Sequence, residues 1–97
     1  MTKIHVNEPH LSIIKQILSQ YPYEFFAFGS RVNGKHKHLS DLDIMIKDDI
    51  SGSTLEKIRG DFEDSNIPFK IDIVLYKDIS PEFYHRIKSD LRKIHPQ

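Results

Sequence analysis

At 97 residues, with 38% apolar and 29% charged side chains, the chain has the size of one domain with a single small core, over residues 1–97, and lies well away from disordered compositions. Fourteen Lys and Arg balance fourteen Asp and Glu, which argues against a general nucleic-acid coat or a polybasic membrane binder while leaving room for a local basic patch. The absence of cysteine excludes disulfides, thiolate zinc sites and cysteine nucleophiles; with no signal-like run in MTKIHVNEPH and no apolar stretch near the length of a membrane span, a soluble, cytoplasmic protein is expected.

Leu11, Ile14, Ile17, Leu18 and Tyr21 recur at helical spacing, with Pro9 tolerable in a first turn and Pro22 as a stop, so a helix is expected from about residue 9 to residue 20. The aromatic run 23–28 (YEFFAF), bounded by Pro22 and Gly29, reads as a strand. The polar stretch GSRVNGKHKHLS follows, with a short helical turn after Ser30. Residues 41–47 (DLDIMIK) alternate: Leu42, Ile44 and Ile46 face one way, Asp41, Asp43, Met45 and Lys47 the other. The connection between these two strands is too short for a helical crossover, which makes them antiparallel.

A second helix is expected to open at Ser53, with Glu56 completing a capping box and Leu55, Ile58 and Phe62 forming the buried stripe that Gly60 weakens. Residues 69–76 (FKIDIVLY) form an apolar, β-branched run read as a buried central strand, interrupted by Asp72. Ser80-Pro81 starts a last helix with Phe83, Ile87 and Leu91 on one face; the tail 91–95 (LRKIH) either continues it or makes a short edge strand. The resulting class is α/β (α+β), a small mixed sheet of three to four strands flanked by helices.

Three carboxylates carry the chemical interest. Asp41 and Asp43, two apart on a strand, project from the same face at roughly 7 Å spacing. Asp72 breaks the most hydrophobic strand, where a bare carboxylate costs several kcal/mol unless it is paired, hydrogen-bonded or metal-bound. Such a set of hard oxygen ligands suits Mg²⁺ or Mn²⁺, which keeps waters and substrate phosphates in its remaining positions. Taken singly, Asp41 also reads as a solvated strand cap and Asp72 as a partner of Lys47 or Lys70. Gly29-Ser30-Arg31 follows the first strand directly: glycine allows close backbone approach, the Ser30 hydroxyl is a phosphate donor and Arg31 offers charge.

Gly29-Ser30, ten intervening residues, then Asp41-Leu42-Asp43 resembles the G-S-x10-D-x-D signature of the polymerase-β-like nucleotidyltransferases. Length and the KIDIVLY strand are similar to the minimal nucleotidyltransferases (MNT) of that superfamily, over about residues 10 to 90. The resemblance implies the polymerase-β-like fold, metals held by Asp41, Asp43 and Asp72, β- and γ-phosphates held by Gly29 and Ser30, and in-line attack on the α-phosphorus of an NTP with release of pyrophosphate. It also implies a HEPN-type toxin as partner, with AMP from ATP passed to one of its tyrosines, so that the chain acts as the antitoxin.

Two rival readings stand beside it: a binding module that blocks its toxin by contact, and a transferase for a small molecule such as an aminoglycoside. His36 and His38, with Lys35 and Lys37, form a basic loop that is either solvated or a nucleotide or partner contact. His5, His10, His85 and His95 read as surface residues. Tyr23, Phe25, Phe26 and Phe28 read as sheet packing, and Phe83 and Tyr84 as candidates for a partner contact.

Overall fold

The computed structural model describes residues 4–95. Helix α1 (His10–Leu18) opens the chain, followed by strand β1 (Phe25–Phe28), the one-turn helix α2 (Ser30–Asn33), strand β2 (Leu42–Ile46) and helix α3 (Gly52–Glu63). Strand β3 (Ile71–Leu75) comes next, then a 3-10 turn at Tyr76–Asp78, helix α4 (Pro81–Ile87), a second 3-10 turn at Lys88–Asp90 and strand β4 (Arg92–His95). The α/β class expected from the pattern is the one found. Every expected element is present, most of them a residue or two shorter than the pattern suggested.

The four strands form one sheet in the order β3-β2-β1-β4. β1 and β2 run antiparallel, as their short connection required. β2 and β3 run parallel across the α3 crossover. The open question of the tail is settled: residues 92–95 pair antiparallel with β1, so β4 is an edge strand.

The alternation of the strands decides what is buried. Phe25 and Ala27 of β1, Leu42, Ile44 and Ile46 of β2, Ile73 and Leu75 of β3 and Ile94 of β4 face α1 and α3, meeting Ile14, Leu18, Leu55, Ile58 and Phe62. Each such side chain removed from water contributes about 1.5–3 kcal/mol, opposed by the entropy of ordering the chain. The other face carries Asp43 and Asp72. It is partly covered as well: Met45, expected on a polar face, is fully buried, and Phe28 meets Phe83 of α4 edge-to-face at 6.0 Å.

Two expectations need correction. The strand 69–76 is not central; β3 is an edge of the sheet. A continuous apolar run marks a strand covered by helices or flanked by strands, and its pattern does not distinguish the two. Here Ile73 and Leu75 are buried against the core, while Arg59 of α3 reaches the strand and donates from Nη2 to the Ile73 carbonyl at 3.1 Å. An edge otherwise open to pairing is thereby partly closed.

The second correction concerns the start of α3. Ser51, not Ser53, is the N-cap: its backbone is extended (φ −72°, ψ 159°) and its hydroxyl accepts from the Thr54 N–H at 3.1 Å. Ser53 lies inside the helix, and Glu56 pairs with Arg59 at 2.6 Å instead of reaching back. Both serines satisfied the cap rule locally; the helix starts earlier because Gly52 already has a place in its first turn. Ser51→Ala should therefore destabilise the protein by about 1 kcal/mol, with Ser53→Ala near neutral. Urea denaturation of the two variants checks this, and an equal loss from both would restore the later cap. At α4 the expected pair holds, with Ser80 as N-cap accepting from the Phe83 N–H at 3.1 Å and Pro81 in the first turn.

Candidate active site

β2 and β3 are parallel neighbours in register, so Asp43 stands directly beside Asp72. Adjacent strands lie about 4.8 Å apart, and paired residues project from the same face. Two carboxylates are thus held side by side by backbone pairing alone. Asp41, just ahead of β2, is exposed at the strand's mouth. Neither Lys47 nor Lys70 forms an ion pair with Asp72 among the described residues. Lys47 lies instead over the ring of Phe26, 4.8 Å from its centroid.

Leaving these charges unpaired shows in the proton affinity of Asp43. The Asp43 carboxyl is pushed up from 3.8 to about 6, first by burial, then by the Asp72 and Asp41 carboxylates. Desolvation and like charges both disfavour the ionised form. A divalent cation reverses both effects, which is the fit expected of a metal-binding carboxylate. Among the described residues no three of His, Asp and Glu close into a ready-made cage. Mg²⁺ does not need one, since one or two carboxylates with water and substrate phosphate complete its shell. Asp43 and Asp72, with Asp41 at the lip, suit that mode.

The glycine-serine turn meets this carboxylate pair. Phe28, the last residue of β1, is the register partner of Asp43, so the chain leaves β1 beside the carboxylate. Gly29 then takes φ 84° and ψ −154°, a region essentially reserved for glycine. A Cβ added there would lie 2.5 Å from Asp43 Oδ2. Glycine is therefore required twice, by its backbone angles and by the closeness of the acid. The Gly29 carbonyl accepts from the N–H groups of Val32 and Asn33 at 2.9 and 3.0 Å, which turns the chain into α2. The Ser30 side chain makes no hydrogen bond among the described residues.

Arg31 is placed differently from its neighbours. It is only 5% exposed, and three of its N–H groups are committed to backbone carbonyls. Nε donates to Ser40 at 2.8 Å, Nη1 to His5 at 2.9 Å and Nη2 to His38 at 3.1 Å. Its guanidinium carbon lies 4.0 Å over the Phe69 ring. The expected nucleotide contact would have to draw on donors these carbonyls do not use. Burial also lowers its proton affinity from the ordinary arginine value.

His36 stacks on His5, with ring centroids 5.2 Å apart, and Lys35, Lys37 and His38 are exposed around them. Asp72 also borders a groove of about 540 Å³ whose walls include Phe62, Ile67, Phe69 and Lys70. Sequence reasoning did not foresee that groove. Its walls come from the end of α3 and the segment that joins it to β3, where the residues follow no single period.

The arrangement can hold a hard cation on paired carboxylates next to a close-approach turn, with space beside Asp72. Comparison with known proteins agrees with that chemistry. Residues 12–96 match the family model described as "Polymerase beta, Nucleotidyltransferase". The chain is 31% identical over 90 residues to the "Probable protein adenylyltransferase MntA" of Haemophilus influenzae, an alignment covering 89% of this chain and 79% of that protein. No helix among the described residues is long and apolar enough to cross a membrane. With a match running through nearly the whole sheet and both carboxylate strands, this chain belongs to the polymerase-β-type nucleotidyltransferases and is itself a nucleotidyltransferase.

Proposed function

We propose that the chain transfers AMP from ATP to a tyrosine hydroxyl of a HEPN-type toxin in the cytoplasm, and so serves as that toxin's antitoxin. The observation that carries the catalytic part is the wedge of Asp43 between Asp72 on the next strand and the Gly29 turn. A protein acceptor is supported by the relative, which bears the name of a protein adenylyltransferase. The groove beside Asp72 leaves room for an acceptor side chain.

Each residue then has a role. Gly29 and Ser30 hold the β- and γ-phosphates, the first through close backbone approach, the second through its hydroxyl. Asp41 and Asp43 hold Mg²⁺ or Mn²⁺ against the nucleotide, and Asp72 completes the metal site on the acceptor side. When bound, the cation neutralises charge on the phosphates and lowers the pKa of the attacking hydroxyl. The tyrosine oxygen forms a bond to the α-phosphorus, the bond from that phosphorus to the bridging oxygen breaks, and pyrophosphate leaves with the electron pair. The hydroxyl proton passes to solvent water on the Asp72 side. What the chain contributes is alignment and fixed charge.

Label transfer with Mg²⁺ and the partner present tests this, comparing ATP labelled at the α-phosphate with ATP labelled at the γ-phosphate. Protein labelled from the α position alone is the expected result, and the labelled band identifies the acceptor. Label from the γ position would replace the mechanism by a kinase-like one. No label from any of the four NTPs, with the partner still bound, would favour neutralisation by contact, and label found only in a small molecule would favour the third reading.

A further inference from the structure

The glycine-serine turn is followed by an arginine whose side chain runs into the protein, and the groups it meets are not random. The Ser40 carbonyl is the last before Asp41. The Phe69 ring belongs to the segment leading into β3, where the Lys70 carbonyl accepts the Leu42 N–H at 2.9 Å. The His5 and His38 carbonyls bring in the N-terminal segment and the KHKH loop, and His5 N–H donates back to the Arg31 carbonyl at 2.7 Å. One side chain thus touches the start of both carboxylate strands while its backbone continues the turn. Its charge is met by carbonyl dipoles and an aromatic face, with no carboxylate in an ion pair with it among the described residues.

We propose that Arg31 is a positioning residue: its guanidinium fastens the Gly29-Ser30 turn to the beginnings of β2 and β3, and so sets where Asp41, Asp43 and Asp72 stand relative to the bound nucleotide. This rests on the nucleotidyl-transfer reading of the site and adds a part to it. The planar guanidinium is what the arrangement needs, since three carbonyls are reached in different directions while the flat face stays on Phe69. A lysine keeps the charge but offers one point and no plane. Misplacement of reacting groups by about 1 Å can cost on the order of 100-fold in rate without weakening substrate binding.

The test is Arg31→Lys, with Phe69→Leu as a second variant that leaves all three carbonyl bonds possible. Kinetics with ATP and Mg²⁺, direct ATP titration, thermal denaturation and backbone amide NMR shifts are read on each. Arg31→Lys is expected to stay folded and to lose roughly 30- to 100-fold in kcat, with KM and affinity for ATP within about two-fold. Amide shifts should concentrate at residues 40–43 and 69–72, and Phe69→Leu should show the same pattern with a smaller loss.

A KM for ATP raised ten-fold or more, with kcat kept and residues 40–43 and 69–72 undisturbed, would make Arg31 a phosphate ligand and overturn the proposal. Unchanged kinetics would overturn it too. Failure of both variants to fold would reduce the residue to a stability role and equally end it. If the unaltered chain transfers no nucleotide, the functional reading falls by itself. The amide shifts of Arg31→Lys would then still show whether the side chain fastens the two strand starts.

Discussion

Asp43→Asn should abolish nucleotidyl transfer, by about 1,000-fold or more, while making the metal-free protein more stable at neutral pH. The loss follows from position: Asp43 is the acid that stands beside both Asp72 and the glycine turn. Removing one preorganised electrostatic group commonly costs about 100- to 1,000-fold, and removing a metal ligand loses the cation's contribution as well.

The gain follows from the raised proton affinity. A carboxyl at about 6 in the fold and 3.8 as its ordinary value binds its proton more tightly when folded. It therefore favours the folded state at low pH, and that contribution is lost as pH rises from about 4 to about 6. The full shift corresponds to about 3 kcal/mol, which solvent screening at this half-buried position reduces to about 1 kcal/mol.

Urea denaturation in a chelator at pH 4 and pH 7.5, which bracket that window, reads the effect. The unaltered protein should lose this increment between the two values, and Asp43→Asn should not. At limiting Mg²⁺, transfer in the unaltered protein should decline as pH falls toward the range where the Asp43 carboxyl takes up its proton, and excess Mg²⁺ should move that decline to lower pH, because cation and proton compete for the same carboxylate. Activity of Asp43→Asn within ten-fold of the original would remove the carboxylate from the mechanism and turn attention to neutralisation by contact.

Gly29→Ala should be nearly as damaging, whereas Gly34→Ala should leave transfer close to normal. Both glycines have positive φ, 84° and 86°, but Gly34 (ψ 4°) lies in the left-handed helical region that other residues can visit, whereas Gly29 (ψ −154°) lies where they essentially do not, so Gly29→Ala strains the backbone more. They differ as well in what a methyl group would meet. At Gly29 it would fall 2.5 Å from Asp43 Oδ2; at Gly34 the nearest atom is His5 Nε2 at 3.8 Å, an ordinary contact. Displacing Asp43 alters the site itself, and a loss of about 100-fold in kcat is expected beyond any loss of stability. Single-turnover kinetics on both variants, with melting curves alongside, isolates the steric part. Equal effects at the two positions would mean that the closeness of glycine and acid has no bearing on the chemistry.

Much of this site was legible before any fold was known, and the reason is local. The step of two between Asp41 and Asp43 puts them on one face of any strand, and a glycine after an aromatic strand marks a place where the backbone must turn sharply. The buried stripes on α1 and α3 follow from the helical period of Ile14, Leu18, Leu55, Ile58 and Phe62. The antiparallel pairing of β1 with β2 follows from the length of their connection. The cap of α3 was misread, at Ser53 in place of Ser51, because the Ser53–Glu56 capping box is a purely local match that the helix does not use.

Composition, periodicity and motif spacing therefore determined the class of fold, much of the core and the acids that the proposed mechanism uses. The tertiary structure decided how these parts meet. That Asp72 stands beside Asp43 depends on the register of β3 against β2, a pairing between residues far apart in the chain that no local period encodes. That β3 is an edge and the tail a strand depends on which neighbours each finds, since an apolar run looks the same under a helix or between strands. And the burial of Arg31 had no signature to read: its acceptors are main-chain carbonyls, which every residue carries, so only their convergence in space singles them out.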